Sequence, residues 1–188
     1  VTCSGYTGED GFELSVPAAC AEAIACELLD HPAVKPIGLG ARDSLRLEAG
    51  LCLYGHELSE AITPIEAGLR WAIAPARRLG GDLASGFPGA ATILEQLANG
   101  APRTRVGLKV SGKRPVREGQ AIHTASGDKL GSVTSGGFGP SVDGPIAMGL
   151  IDTSCAMRGD TVHIDVRGKY VEAEIVNLPF VSQRYFRG

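Results

Sequence analysis

Polar and apolar residues alternate with period two over residues 11–16, with Phe12, Leu14 and Val16 on one side and Glu13 and Ser15 on the other. This pattern predicts a strand with one buried face. Pro17 ends it, and the period then changes. Ala21, Ile24, Ala25, Leu28 and Leu29 recur at helical spacing over residues 18–29, until Asp30-His31-Pro32 stops the run. A second helix is predicted over residues 39–49, closed by Gly50. A third apolar stretch, residues 65–73, follows the start signal Thr63-Pro64 and contains Trp71. The first 75 residues therefore read as strand, helix, helix, with too little strand for a sheet of their own. They are assigned to part of an α+β domain.

Residues 76–103 are rich in Gly, Ala and Pro, with one short helical pattern at residues 91–97, and read as connecting structure. From residue 104 to 188 the character is that of short strands. Val106, Leu108 and Val110 alternate with other residues, as do Val162, Ile164 and Val166. Ser126-Gly127-Asp128 and Arg167-Gly168-Lys169 carry hairpin chemistry, the second leading into residues 170–176. Such spacing predicts a small antiparallel β-barrel or sandwich. The fold class is thus α+β, a partial α+β domain followed by a small antiparallel barrel.

Composition narrows function more than fold. The 188 residues are 44% hydrophobic and 21% charged with formal net charge −3, enough apolar material for one medium or two small cores. Basic residues are nowhere clustered, so neither nucleic acid nor an anionic membrane surface is an expected partner. The apolar runs fall well short of the ~20 residues of a spanning helix. Cys3, Cys20, Cys26, Cys52 and Cys155 are odd in number and scattered, without a C-x-x-C pair, and no histidine stands at metal-ligand spacing. Neither a disulfide framework nor a metal is expected, and a reducing compartment is. Val1 falls within what reads as an extended segment, so a natural N-terminus is expected upstream.

Few residues stand out chemically. Arg42 and Arg46 lie one turn apart on the second predicted helix, where like charges disfavour each other, and Arg42 falls in the first turn, where the helix dipole disfavours a cation. Either an anionic ligand or carboxylate holds them, or Asp43 and Glu48 neutralise a solvated face. Glu13 is either a solvated strand carboxylate or a pocket acid able to accept hydrogen bonds from an amino-heterocycle. Tyr6, in Gly5-Tyr6-Thr7-Gly8, can stack on a flat ligand or cover a core edge. Gly38-Leu39-Gly40 lacks the third glycine of a dinucleotide fingerprint, and Arg158-Gly159-Asp160 reads as a turn before a strand.

Two longer segments add to this reading. Gly5-Tyr6-Thr7-Gly8-Glu9-Asp10-Gly11-Phe12-Glu13 is followed by Gly38-Leu39-Gly40-Ala41-Arg42-Asp43-Ser44-Leu45-Arg46-Leu47-Glu48-Ala49-Gly50 and then by Ile62-Thr63-Pro64-Ile65-Glu66-Ala67-Gly68-Leu69. With Arg105-Val106-Gly107-Leu108, Gly131-Ser132-Val133-Thr134-Ser135-Gly136 and Pro179-Phe180-Val181, they make the chain resemble the T-protein family of the glycine cleavage system along its whole length. Dimethylglycine and sarcosine dehydrogenases carry related folate domains, but the Ala-Arg-Asp-Ser-Leu-Arg-Leu-Glu-Ala-Gly string favours the T-protein. Non-catalytic iron–sulfur-cluster assembly factors share the fold and carry a K-G-C-Y-x-G-Q-E motif. Residues 51–57 lack its lysine, glycine and glutamine.

The resemblance implies three domains around a channel for tetrahydrofolate. The implied activity is aminomethyl transfer from lipoylated H-protein, releasing ammonia and giving 5,10-methylene-tetrahydrofolate. It implies that Glu13 binds the pterin, that Arg42 and Tyr6 belong to the folate site, that Arg105 faces the channel and that Tyr185 closes it. It also implies that the family's catalytic aspartate lies in an N-terminal half outside these residues. This chain would then hold a folate half-site and catalyse little alone, with its first segment frayed or self-associating through strand edges. The implied location is the bacterial cytoplasm or the mitochondrial matrix.

Overall fold

The period-two alternation of the second half of the chain has closed into a barrel in the computed structural model, which describes residues 1–186. Its strands are β1 (Arg103–Val110), β2 (Ala121–His123), β3 (Lys129–Gly139), β4 (Gly144–Asp152), β5 (Thr161–Val166) and β6 (Lys169–Val176). They are neighbours in the order β1-β4-β3-β2-β5-β6 and every pair is antiparallel. β1 closes the ring, running against β4 from Arg103↔Asp152 to Lys109↔Ile146 and against β6 from Gly107↔Val176 to Val110↔Ala173. Closure leaves no open strand edge in the ring. Leu108, Ile122, Ile151 and Ile164 meet inside it, fully buried. The β5–β6 hairpin turns on Arg167 and Gly168, both at positive φ, as a type I′ turn requires. Asp165 Oδ1 accepts the Gly168 N–H at 2.7 Å.

Before the barrel come α1 (Ala18–Leu29), α2 (Leu39–Glu48) and α3 (Ala90–Asn99), with 3-10 turns at Arg70–Ala72 and Pro75–Arg77. Helix α2 seats the first half on the second. Leu47 packs with Ile146 and Met148 on the outer wall of the barrel, joined by Leu178 and Phe180, in a second small core. The helix ends where Gly50 adopts φ +66°. The Gly50 N–H reaches the Leu47 carbonyl and the Leu51 N–H the Arg46 carbonyl, the paired bonds of a Schellman cap. Gly50 also lies under Leu178 and Pro179, so an added Cβ would meet Leu178 Cβ at 3.2 Å.

Two expected elements differ. Residues 11–16 are extended but form no strand: only Glu13 pairs, with Thr2, through two 2.9 Å backbone bonds. A strand needs a neighbour, and none runs beside this segment among the described residues. Phe12 is accordingly 72% exposed, and α1 buries no residue at all. Residues 65–73 hold two short turns, one ended by Gly68 and the 3-10 turn at Arg70–Ala72, instead of a longer apolar element. Thr63 and Glu66 form a reciprocal capping box, the Thr63 N–H on Glu66 Oε2 and the Glu66 N–H on Thr63 Oγ1. Gly68, at φ +72°, ends the turn after one revolution. Helix α3 is longer than residues 91–97. It buries Ile93 and Gln96, and Gln96 Oε1 accepts the Thr63 hydroxyl. No helix among the described residues is long and apolar enough to cross a membrane.

Candidate functional site

The Gly5–Gly8 loop lies against the C-terminal end of α2 because Gly8, at φ +79°, has no side chain. A Cβ there would stand 2.9 Å from Ala49 Cβ. This close approach carries Tyr6 over the helix. Its hydroxyl donates to the Cys52 carbonyl, and the Arg42 guanidinium stacks over its ring at 4.5 Å from the centroid. A cation over an aromatic face at this distance is attracted by the ring quadrupole. That contact stabilises an arginine in the first turn, where the helix dipole opposes it. Burial pushes the Tyr6 phenol above its usual value, against the pull of Arg46 and Arg42.

Arg46, one turn further on, does something else. Its guanidinium is buried with a partner on each nitrogen: Nε meets Asp43 Oδ1 at 2.7 Å, Nη1 meets Glu57 Oε2 at 3.1 Å, and Nη2 meets the Ser135 hydroxyl of β3 at 2.9 Å. A solvated face therefore does not describe Arg46, although Asp43 does neutralise it and Arg42 and Asp43 are themselves exposed. Glu48 does not serve the arginines. It is buried, with Oε1 on the Ser141 N–H and Oε2 on the Ser141 hydroxyl. Glu57 was not a candidate from sequence. It accepts the Leu53 N–H as well as Arg46, so it folds the loop that bears Cys52.

Arg105 rises from β1 on the other side of that loop. Its Nε donates to the Ala67 carbonyl at 2.8 Å, and Nη1 to the Gly50 carbonyl at 2.7 Å with Met148 Sδ at 3.1 Å. Nη2 makes no hydrogen bond among the described residues and points to the space that the missing Gly68 side chain leaves, 3.7 Å from where a Cβ would sit. Arg105 and Tyr185 line one cleft of about 420 Å³ with Cys52, Trp71 and Leu178. Trp71, 76% exposed, is a lining residue that sequence reasoning left inside an apolar stretch. Nothing in its local pattern marked it; its place depends on the turn ended by Gly68.

Among the described residues, none that lines the cleft carries a carboxylate side chain. Asp10 is held away from it, its Oδ2 accepting the Phe186 N–H, and Asp43 is committed to Arg46. Glu13 Oε2 accepts the hydroxyl of Ser4, which precedes the Gly5–Gly8 loop, at 2.5 Å, and Glu13 is not among the residues lining the Arg105–Tyr185 cleft. The candidates thus fall into two neighbouring pairs, Tyr6 with Arg42 and Arg105 with Tyr185, joined by residues 50–52, with Glu13 on the Thr2–Glu13 ladder. The C-terminal segment is tied back by Arg184, which grips Glu9 Oε1 through Nε and Nη2.

Cys52 sits in the cleft wall, where burial pushes its thiol up and Arg105 pulls it down less strongly. The thiolate is the reactive species, so a raised value means less of it at a given pH. At pH 8, iodoacetamide is expected to label Cys52 more slowly than the exposed Cys3, Cys20 and Cys26, as followed by peptide mass spectrometry. Equal rates would contradict the burial of Cys52.

Comparison with known proteins finds matches to both halves of the chain. Residues 1–77 match the family model described as GCVT N-terminal domain, and residues 103–182 the one described as Glycine cleavage T-protein C-terminal barrel domain. The mitochondrial aminomethyltransferase of Mesembryanthemum crystallinum is 48% identical over 100% of this chain and 45% of its own length. That of Gallus gallus is 48% identical over 99% of this chain and 46% of its own. The crystal structure of glycine cleavage system aminomethyltransferase T from Bartonella henselae superposes with a TM-score of 0.91 at 47% identity, covering 99% of this chain and 50% of that one. The chain therefore spans about half the length of the relatives it matches.

Proposed function

The chain belongs to the glycine cleavage T-protein family, and from that premise we propose that its residues bind and orient tetrahydrofolate for aminomethyl transfer. In this reading the methylene carbon arrives bonded to the amine nitrogen and to a sulfur of the lipoyl arm of H-protein. Both bonds break, the carbon forms two new bonds to folate nitrogens, ammonia leaves and the lipoyl sulfur is left as a thiol. The product is 5,10-methylene-tetrahydrofolate. Named roles for this chain are binding and positioning, which supply much of the rate in a transfer between two bound reactants. The Tyr6–Arg42 stack offers a flat, cationic platform to the pterin end, and Glu13 Oε1 an acceptor for its amino edge. Arg105 and Tyr185 line the path of the rest of the molecule.

The observation that carries this reading is the meeting of the two pairs on either side of residues 50–52, which suits one elongated ligand with a planar head. An acid at hydrogen-bond distance from the reacting nitrogen is also required. The residues lining this cleft do not supply one, so it comes from further polypeptide, and the 188 residues alone turn over slowly. The same further polypeptide would cover Phe12, Leu14, Val16 and α1, whose apolar side chains are left exposed here. The named relatives are mitochondrial. A matrix location, or the cytoplasm in a bacterium, fits an enzyme acting on H-protein.

A chimera tests the proposal. These 188 residues replace the matching segment of the Mesembryanthemum crystallinum relative, and the product is incubated with aminomethylated H-protein and tetrahydrofolate. Ammonia and 5,10-methylene-tetrahydrofolate are expected one for one. A folded chimera that forms neither product contradicts the proposal.

A further inference from the structure

Residues 178–186 cross back over the first loop of the fold. Leu178 and Phe180 are seated in the small core beneath α2, and the Phe180 and Val181 N–H groups both donate to the Glu48 carbonyl at 3.0 Å. Beyond that anchor the segment joins no strand, and it is held by separate ties. Gln183 Nε2 donates to the Ala49 carbonyl at 3.3 Å, the Arg184 N–H to the Gly8 carbonyl at 3.0 Å, and the Phe186 N–H to Asp10 Oδ2 at 2.9 Å. A segment outside the sheet opens at low cost, and single hydrogen bonds hold it weakly.

The Arg184 side chain adds an ion pair to these ties. Its Nε and Nη2 both reach Glu9 Oε1, at 2.7 and 2.5 Å, across 175 positions of sequence. Glu9 is a firm anchor, since Gly8 beside it lies so close to α2 that an added Cβ would meet Ala49 Cβ at 2.9 Å. The pair is also exposed, its side chains being 77% and 45% accessible, so it can hold the segment without being needed for folding. Tyr185 stands between Arg184 and Phe186, and its position follows theirs. It borders two clefts at once, the one of about 420 Å³ that contains Arg105 and Trp71 and another of about 280 Å³ lined by Ser4, Glu9 and Asp10.

We infer that Arg184 is a positioning residue for the ligand cleft: clasped to Glu9, it fixes Tyr185 at the cleft wall and prolongs the stay of a bound ligand. The inference rests on the folate reading above for the identity of that ligand. A wall residue already held in place needs no ordering when the ligand binds, and such preorganisation acts mainly on the rate of release. With Arg184 unclasped, the rest of the cleft keeps its shape while Tyr185 exchanges among positions, and the ligand leaves sooner.

Trp71, the single tryptophan of the sequence, lines the cleft with Tyr185 and reports on its occupant. The 188-residue chain is loaded with 5-formyl-tetrahydrofolate, binding is measured by calorimetry, and release on rapid dilution is followed by Trp71 emission. Arg184→Ala and Glu9→Gln are each expected to release the ligand about threefold faster, the size of effect an exposed ion pair allows, with the thermal midpoint unchanged. Combined, they should do no more than either alone, as the two ends of one interaction. Exchanging the charges, Glu9→Arg with Arg184→Glu, should restore slow release, and at high salt the rates of parent and Arg184→Ala should converge. In a Tyr185→Ala chain, Arg184→Ala should have no further effect. Release from Arg184→Ala at the parent's rate, or an acceleration that persists without Tyr185, overturns the inference and leaves the folate reading standing. Binding that leaves Trp71 emission unchanged puts the ligand outside this cleft and also overturns the inference. A parent chain that binds no 5-formyl-tetrahydrofolate overturns both.

Discussion

Arg46→Ala is expected to destabilise the protein by about 3–5 kcal/mol, because it leaves Glu57 buried and charged with no cation beside it. Three groups depend on that guanidinium. Asp43 is on its own helix, Glu57 folds the Cys52 loop, and Ser135 belongs to the barrel. The loss should therefore fall on the junction between α2 and β3, and not on the barrel interior. It should also reach the site, since α2 displays Arg42 and the Glu57 loop presents the Cys52 carbonyl to Tyr6. Pairing Arg46→Met with Glu57→Gln removes both charges at once and is expected to lose less than Arg46→Ala alone. Urea unfolding followed by circular dichroism measures both variants. A loss below about 1 kcal/mol for Arg46→Ala would show that the network contributes no more than a surface ion pair does.

Leu108→Ala is the second large effect, about 2–5 kcal/mol. Leu108 is fully buried within the barrel, and with Ile122 it fills the space left open by Gly149, where an added Cβ would stand 2.6 Å from Ile122 Cδ1. Removing its branched end opens a void lined by strands hydrogen-bonded on both sides, which cannot collapse into it. Unlike Arg46→Ala, this change leaves the α2 seat of Leu47, Ile146 and Met148 untouched. The two variants should therefore add when combined, as distant and independent sites do. Marked departure from additivity would mean that the seat and the barrel interior are one cooperative unit.

What was legible in the sequence follows the range of the forces involved. Local signals located α1 within its observed bounds, with Pro17 before it, and the end of α2, where Gly50 alone can take the left-handed turn. Alternation marked β1 and β5, because each has one face inside and one outside, and turn chemistry marked the β5–β6 hairpin. The extended residues 11–16 show the limit of that signal. Phe12, Leu14 and Val16 alternate correctly, but pairing needs a neighbour that local sequence cannot supply. The site divides in the same way. Tyr6 and Arg42 each stand out locally, whereas their stack joins residues far apart in sequence. The destination of Arg46 was hidden, since one partner lies 11 residues away and the other 89. Glu48 looked like a neutralising charge for the arginines and instead holds Ser141, 93 residues on. Trp71 entered the cleft only because Gly68 stops its turn. Contacts closed across such distances leave no periodic trace.

The central claim is that Tyr6, Glu13 and Arg42 hold the head of a tetrahydrofolate. Calorimetric titration of 5-formyl-tetrahydrofolate into the chain and into its Glu13→Ala and Arg42→Ala variants tests it most directly. Glu13 and Arg42 are exposed and peripheral to both cores, so both variants should remain folded. Measurable binding to the parent is expected, with a loss of about tenfold or more in each variant, the size of a charge-assisted hydrogen bond or a desolvated cation–π contact. Folate affinity equal to that of the parent in both variants would contradict it.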